Sequence, residues 1–310
     1  MRAAQRDRSA DDGQVSARLT RLGAPWQNAR MIRLAAVADL HAGPDARDAM
    51  ASHFAGLSTE ADLLLLAGDL TRAGHPEEAE ALASVLRDVG VPVVAVLGNA
   101  DYDAEQAPAI MTIMREAGVH MLDRSSVILD IAGEKVAIAG VKGFGGGFGD
   151  ALAEVTGEPE MRAWVQYAED EADALEGVLA SMVGDIRLAL LHYAPITDTI
   201  TGERLERYAF AGNSMLGAAI DHAGADLVLH GHIHRGVPAG RTPGGIPVRN
   251  VALQVIREPY ALFTIERADD LPQRERRRWR REQRVAGRLP WRRRRQRAQE
   301  PAANDAGDPT

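Results

Sequence analysis

Five short apolar runs along the chain, MIRLAAVA, ADLLLLA, VPVVAVL, DIRLALL and ADLVL, are each followed at once by aspartate, asparagine or histidine. The runs have the length of buried strands, and helical segments follow several of them. HPEEAEALASVLRDVG has Pro76 near its start, acids in its first turn and Gly90 at its end, and AEQAPAIMTIMREAG closes on Gly118. GEPEMRAWVQYAEDEADALEGVLASMVG predicts one long helix. Strand and helix in alternation predict an α/β domain between Arg30 and Arg267. The style then changes: SSVILDIAGEKVAIAGV predicts a hairpin turning at Ala132, Gly133 and Glu134, and GIPVRNVALQVIREPYALFTIER predicts further strands. A mixed sheet, or two packed sheets, fits this better than a purely parallel one.

The residues after the runs form a series. The first run leads to Asp39 and His41, the second to Asp69, the third to Asn99 and Asp101, the fourth to His192 and the fifth to His230, His232 and His234. Side chains at the carboxyl ends of neighbouring strands converge on one crevice, where open α/β sheets bind ligands. Asp39, Asp69 and Asn99 follow one another at intervals of 30 residues, about one strand-helix-strand unit. Any one station alone reads as a helix cap or a hydrogen-bonded core histidine. Five in succession, with Gly68, Gly98 and Gly231 beside them, favour a ligand site instead; these glycines are expected to let the backbone turn sharply beneath a metal.

The hexapeptide LHGHIH, Leu229 to His234, taken alone leaves three readings open: a polar loop, a metal site or a buried histidine network. The chain has no cysteine, so disulfides and thiolate sites are excluded and any metal must be held by oxygen and imidazole. Such a donor set suits Mn, Fe, Zn or Co.

The order D-x-H, G-D, G-N-x-D, H and G-H-x-H resembles that of the calcineurin-like metallophosphoesterases over roughly Arg30 to Arg267. The resemblance implies a four-layer α/β/β/α sandwich of two mixed sheets flanked by helices. It also implies a dinuclear centre of two divalent ions, with Mn or Fe favoured, in which Asp39, His41 and His234 hold one metal, Asn99, His192 and His232 the other, and Asp69 bridges them; two neighbouring cations require such a bridging carboxylate, and their Lewis acidity turns a shared water into hydroxide near neutral pH. His230 falls outside the pattern and is expected to be hydrogen-bonded within a strand. The activity implied is metal-dependent hydrolysis of a phosphate ester by a metal-bridging hydroxide, with Asp69, Asn99 and Asp101 as the residues closest to the chemistry. Many members carry His where this chain has Ala100. Losing that group should hurt monoester hydrolysis most, since its alkoxide leaving group is poor, so a phosphodiester is the favoured substrate. Asp101, Tyr102, Asp103 and His75 are candidate substitutes. A phosphomonoesterase or protein phosphatase is the alternative enzyme, and a non-catalytic metal-binding scaffold the alternative of another class.

VKGFGGGFGD, Val141 to Asp150, lacks the ending of a phosphate-binding P-loop and is read as a flexible rim over the site, with Phe144 and Phe148 as stacking surfaces, or as a plain connection into the long helix. The ends of the chain are set apart. Residues 1–29 have no apolar core of a signal peptide and are expected to be disordered. Residues 268–310 form an arginine-rich tail, expected to be disordered and to contact an anionic membrane or nucleic acid through its arginines, Trp279 and Trp291. With fourteen arginines against seven acids from Arg267 onward, the basic charge of a chain of net charge −8 is concentrated there, and an acidic catalytic domain argues against a nuclease groove. No transmembrane segment is expected, and a cytoplasmic location is.

Overall fold

A computed structural model describes residues 31–266. The expectations for residues 1–29 and for the arginine-rich tail lie outside the described residues. In chain order the first four strands are β1 (Met31–Val37), β2 (Leu63–Ala67), β3 (Val93–Val96) and β4 (His120–Met121). They are followed by β5 (Ser125–Ile131), β6 (Glu134–Gly140), β7 (Ile186–Leu190), β8 (Leu227–His230), β9 (Ala239–Arg241), β10 (Pro247–Asn250) and β11 (Ala261–Glu266). One sheet runs β11-β1-β2-β3-β4 and the other β5-β6-β7-β8-β10-β9. Each is parallel through its middle and carries antiparallel strands at its edges: β11 on the first, β5 and β9 on the second.

The burial of β2 explains why its sequence is an unbroken apolar run. Leu64 and Leu66 face helices α1 (Pro76–Leu86) and α2 (Ala107–Glu116) through Leu82, Leu86, Ile110 and Met114. Leu63, Leu65 and Ala67 face the other way, into a core shared between the sheets with Val136, Ile138, Leu188 and Leu229. A strand covered on both sides has no polar face to alternate. On the far side of the second sheet, α3 (Pro159–Ser181) and α4 (Ser214–Ala223) pack Ala172, Leu175, Leu216 and Ile220 onto Ala139, Ala189 and Val228. The result is the four-layer α/β/β/α sandwich of two mixed sheets that the resemblance implies. No described helix is long and apolar enough to cross a membrane.

Two local expectations change in detail. The hairpin between β5 and β6 turns on two residues, Ala132 (φ 55°) and Gly133 (φ 86°), and Glu134 already pairs with Ile131. Two left-handed residues give the turn whose twist matches the strands it joins. The segment after Gly245 is not strand throughout: Leu253–Ile256 forms a helical turn between β10 and β11. There the chain leaves the second sheet for the first, and Ala252 bridges to Ala38 beyond the end of β1, so it cannot stay in one ladder.

Leu65 is completely buried between the sheets. Leu65→Ala is expected to cost about 2–5 kcal/mol, the range for a buried leucine whose surroundings cannot collapse. Urea unfolding followed by circular dichroism measures it.

Candidate metal centre

Strand order explains how residues far apart in sequence meet. β1, β2 and β3 are parallel neighbours in one sheet, β7 and β8 in the other, and all five end at the same edge of the sandwich. The turns after them lie face to face across the gap between the sheets. Asp39, His41 and His234 present ligand atoms within 4.8 Å of one another, and so do Asp39, Asp69 and His192.

Asp39 is buried, and its carboxylate accepts the His232 amide at 3.1 and 3.0 Å and the His234 ring nitrogen Nε2 at 3.0 Å. This joins the end of β1 to the loop after β8. The two oxygens of Asp69 point to opposite sides: Oδ1 lies 3.3 Å from His192 Nε2 and Oδ2 lies 3.6 Å from His41 Nε2. Asp69 therefore spans the two groups, and the Ala100 amide donates to Oδ1 at 2.8 Å. His192 is fully buried, and its Nδ1 donates to the Ala67 carbonyl at 2.9 Å. That bond fixes the tautomer and turns Nε2 toward Asn99 Oδ1, 3.0 Å away. Nε2 and two oxygens thus converge, an arrangement that repels itself unless a proton or a cation sits among them. His232 meets His192 edge to face with ring centroids 5.0 Å apart, and its own Nε2 donates to the Phe210 carbonyl at 3.0 Å.

Backbone conformation singles out the same residues. Among the described residues eight that are not glycine have positive φ, and four of these are Asp39 (59°), His41 (45°), Asp69 (50°) and His232 (69°). Such conformations cost about 1–3 kcal/mol each and cluster at ligand sites. The flanking glycines serve chiefly close approach rather than a sharp turn. A Cβ on Gly68 would lie 2.5 Å from His192 Nδ1, one on Gly231 would lie 2.6 Å from Asp39 Oδ2, and one on Gly98 would collide with Asp69. Gly68 alone of the three also has positive φ, at 87°.

Electrostatics shifts Asp39 and His232 toward their ligand-competent forms. Burial pushes the Asp39 carboxyl up, but the His234 hydrogen bond and the imidazoles of His192, His234 and His232 outweigh it and hold Asp39 below the usual carboxylate range. The same bond to Asp39 raises His234 against its partial burial. Burial, helped by the nearby His192, pushes His232 down to about 3 and keeps it neutral. His230 lies inside β8, bonded at Nδ1 to the Gly231 carbonyl (2.8 Å) and at Nε2 to Thr199 Oγ1 (2.9 Å), and burial pushes it down to about 4.

Other expected residues lie elsewhere. Asp101 is fully buried and does not face the cluster's open side. Its Oδ1 accepts Thr71 N (2.8 Å) and Thr71 Oγ1 (2.6 Å), and its Oδ2 accepts Gly98 N (2.8 Å) and Leu70 N (3.2 Å). It ties the Asn99 turn to the turn after β2, and although burial raises its carboxyl above the usual carboxylate range, both of its oxygens are occupied by donors from these turns. His75 caps α1, and its amide donates to the Glu78 carboxylate. The glycine-rich segment after β6 is not an exposed rim. Most of it is buried, with Gly146 N donating to Ala209 O at 2.7 Å and Gly147 N to Gly212 O at 2.9 Å. Two residues that the sequence did not single out stand beside the site. Thr71 anchors Asp101, and Lys142, one of only two lysines in the chain, lies just beyond the end of β6 with burial pushing it down to about 8. A lysine, rare in this chain, just after an apolar strand is the signal that was available.

The family model described as calcineurin-like phosphoesterase matches residues 32–236. A comparison with curated proteins finds no match. Among solved structures, the phosphopantetheinyl hydrolase from Mycobacterium tuberculosis superposes with a TM-score of 0.55 at 15% identity, over 77% of this chain and 96% of its own. Protein TT1561 of Thermus thermophilus gives a TM-score of 0.46 at 20% identity, over 76% of this chain and 99% of its own.

If Asp101 acts through the turns it ties, Asp101→Asn lowers the melting temperature and weakens metal binding by about 10–100-fold, the usual effect of removing a group that positions ligands. Calorimetry and Mn²⁺ titration read both. A variant that keeps its stability and metals while losing only turnover would return Asp101 to a direct chemical role.

Proposed function

Because the chain belongs to the calcineurin-like phosphoesterase family, we propose that it is a hydrolase of phosphate diesters with two divalent metal ions at the strand ends. The observation that carries the reading is the convergence of Asp39, His41, Asp69, His192 and His234 on one spot, with Asp69 turned to both sides. Asp39, His41 and His234 fit one ion, and Asn99, His192 and His232 a second, with Asp69 serving both. Oxygen and imidazole donors without thiolate suit Mn or Fe, and also Zn or Co. Ions bound there supply Lewis acidity toward the phosphoryl group and a water activated near neutral pH.

The protein's own groups do the rest. Asp69 is held by the Ala100 amide, so its oxygens keep their direction while substrate exchanges. The His192 tautomer is locked from behind by Ala67, which leaves Nε2 as an acceptor toward the centre. His232, kept neutral, adds a donor without adding charge. The side chain of Ala100 offers no proton to a leaving group, and Asp101 beside it is spent on four hydrogen bonds, which is why diesters with stabilised leaving groups are favoured over monoesters.

Purified protein stripped and reloaded with Mn²⁺ should bind two ions per chain by elemental analysis and hydrolyse bis(4-nitrophenyl) phosphate faster than 4-nitrophenyl phosphate. Asp69→Ala should lose both ions and all activity together. A wild-type protein that takes up no metal refutes the reading. Ala100→His should raise monoester hydrolysis by up to about a hundredfold, the contribution of a well-placed acid. Strong monoesterase activity in the wild type, indifferent to that substitution, would instead favour a phosphomonoesterase.

A further inference from the structure

Beside the cluster of histidines and carboxylates lies a second feature that the metal-centred reading does not use. Lys142 lies two residues beyond the end of β6 and is 7% exposed. Its carbonyl accepts the amides of His192 (3.0 Å) and Tyr193 (3.1 Å), which places it against the end of β7. Four rings face its ammonium: Phe144 at 4.8 Å, Tyr167 at 5.0 Å, Tyr193 at 5.2 Å and Tyr102 at 5.4 Å. The Tyr193 ring also lies 4.4 Å from the His232 imidazole, so one aromatic ring separates the lysine from an expected ligand. Tyr102 belongs to the short turn that begins at Ala100, which puts the box on the same side of the centre.

The charge of this lysine is incompletely answered within the protein. Its ammonium donates to the Gly143 carbonyl at 3.1 Å. The nearest candidate counter-ion, Glu171, is already engaged at both oxygens, by Arg124 Nε at 2.8 Å and Gly143 N at 2.7 Å. Among the described residues no ion pair reaches Lys142; Glu171, Asp123 and Asp69 attract it only from farther away. A buried cation without a contact partner is costly. Four π faces offset part of the cost, and the outer walls, Tyr102 at 40% and Tyr167 at 37% exposure, leave the box open to solvent on one side. Stability alone gives no reason to keep a charge there, since a buried charge can often be replaced by an apolar group without loss. A site that binds phosphate does give one.

We infer that Lys142, held in the box of Tyr102, Phe144, Tyr167 and Tyr193, is a contact for the anionic phosphate of the substrate, supplying positive charge on the side where Ala100 supplies no donor. The inference rests on the reading of the centre as a phosphoesterase site. The cation is fixed in direction before substrate arrives, so it need not reorganise when it meets the anion. The aromatic walls hold it without neutralising it, which an acidic partner would do.

The test uses full-length Mn²⁺-loaded protein, Lys142→Met and Lys142→Gln, with orthophosphate titrated calorimetrically and melting temperature and metal content measured alongside. The expected result is a fall of about tenfold or more in phosphate affinity, as for loss of one charge-assisted contact, with metal content unchanged and melting temperature unchanged or raised. Unchanged phosphate affinity overturns the assignment. Variants that unfold, melt markedly lower or lose their metal also overturn it, because the lysine is then structural. If the wild-type protein binds Mn²⁺ but no orthophosphate, the phosphoesterase reading has failed and this one with it.

Discussion

The hydrogen bond from His192 Nδ1 to the Ala67 carbonyl crosses from the second sheet to the first, and the rest of the site is arranged around it. It orients one imidazole, and through that ring it sets where Asn99 and Asp69 must lie. It also explains Gly68, because no side chain can occupy the space that the ring fills. A parallel link, from Asp39 to the His232 amide and His234, closes the other half of the site across the same gap. Both links exist only if the sheets pack in one relative position. The apolar core between them, with Leu65, Ile138, Leu188 and Leu229 at its centre, fixes that position.

The site is held in tension with the fold that carries it. Four left-handed backbone conformations at Asp39, His41, Asp69 and His232 together weigh several kcal/mol, comparable to the net stability of an ordinary domain. They persist because each lies directly after, or close to, a strand buried on both faces, which cannot relax without opening the core. The unanswered charge of Lys142 belongs to the same account. Both features disfavour the fold, and both are intelligible where a cation or an anion is to be bound.

The charge pattern around the centre is graded. Asp39 and Asp69 are buried at the ends of β1 and β2, the Asp39 carboxyl held below the usual carboxylate range, His232 and His230 are kept neutral by burial, and Lys142 stands one ring away behind Tyr193. Asp101 serves this arrangement from beneath, by joining the turns that carry Asp69 and Asn99 through Thr71, Leu70 and Gly98.

Much of this was legible in the chain itself. Apolar runs of strand length ended in ligand-competent residues determine the α/β class, and their common direction is enough to bring Asp39, Asp69, Asn99, His192 and the residues after β8 to one edge, because parallel strands share their carboxyl ends. What periodicity and spacing could not decide is everything that depends on which atoms approach across the gap between two sheets. The direction of Asp101, inward to four hydrogen bonds rather than outward to substrate, follows from Thr71 meeting it 30 residues away. The burial of the glycine-rich segment follows from Ala209 and Gly212 accepting its amides. The aromatic box around Lys142 draws on residues from Tyr102 to Tyr193, which only the packing of the helix Pro159–Ser181 onto the second sheet brings together. Local sequence fixes elements and their polarity; contacts between distant elements are set by the single packing that buries all of the apolar faces at once.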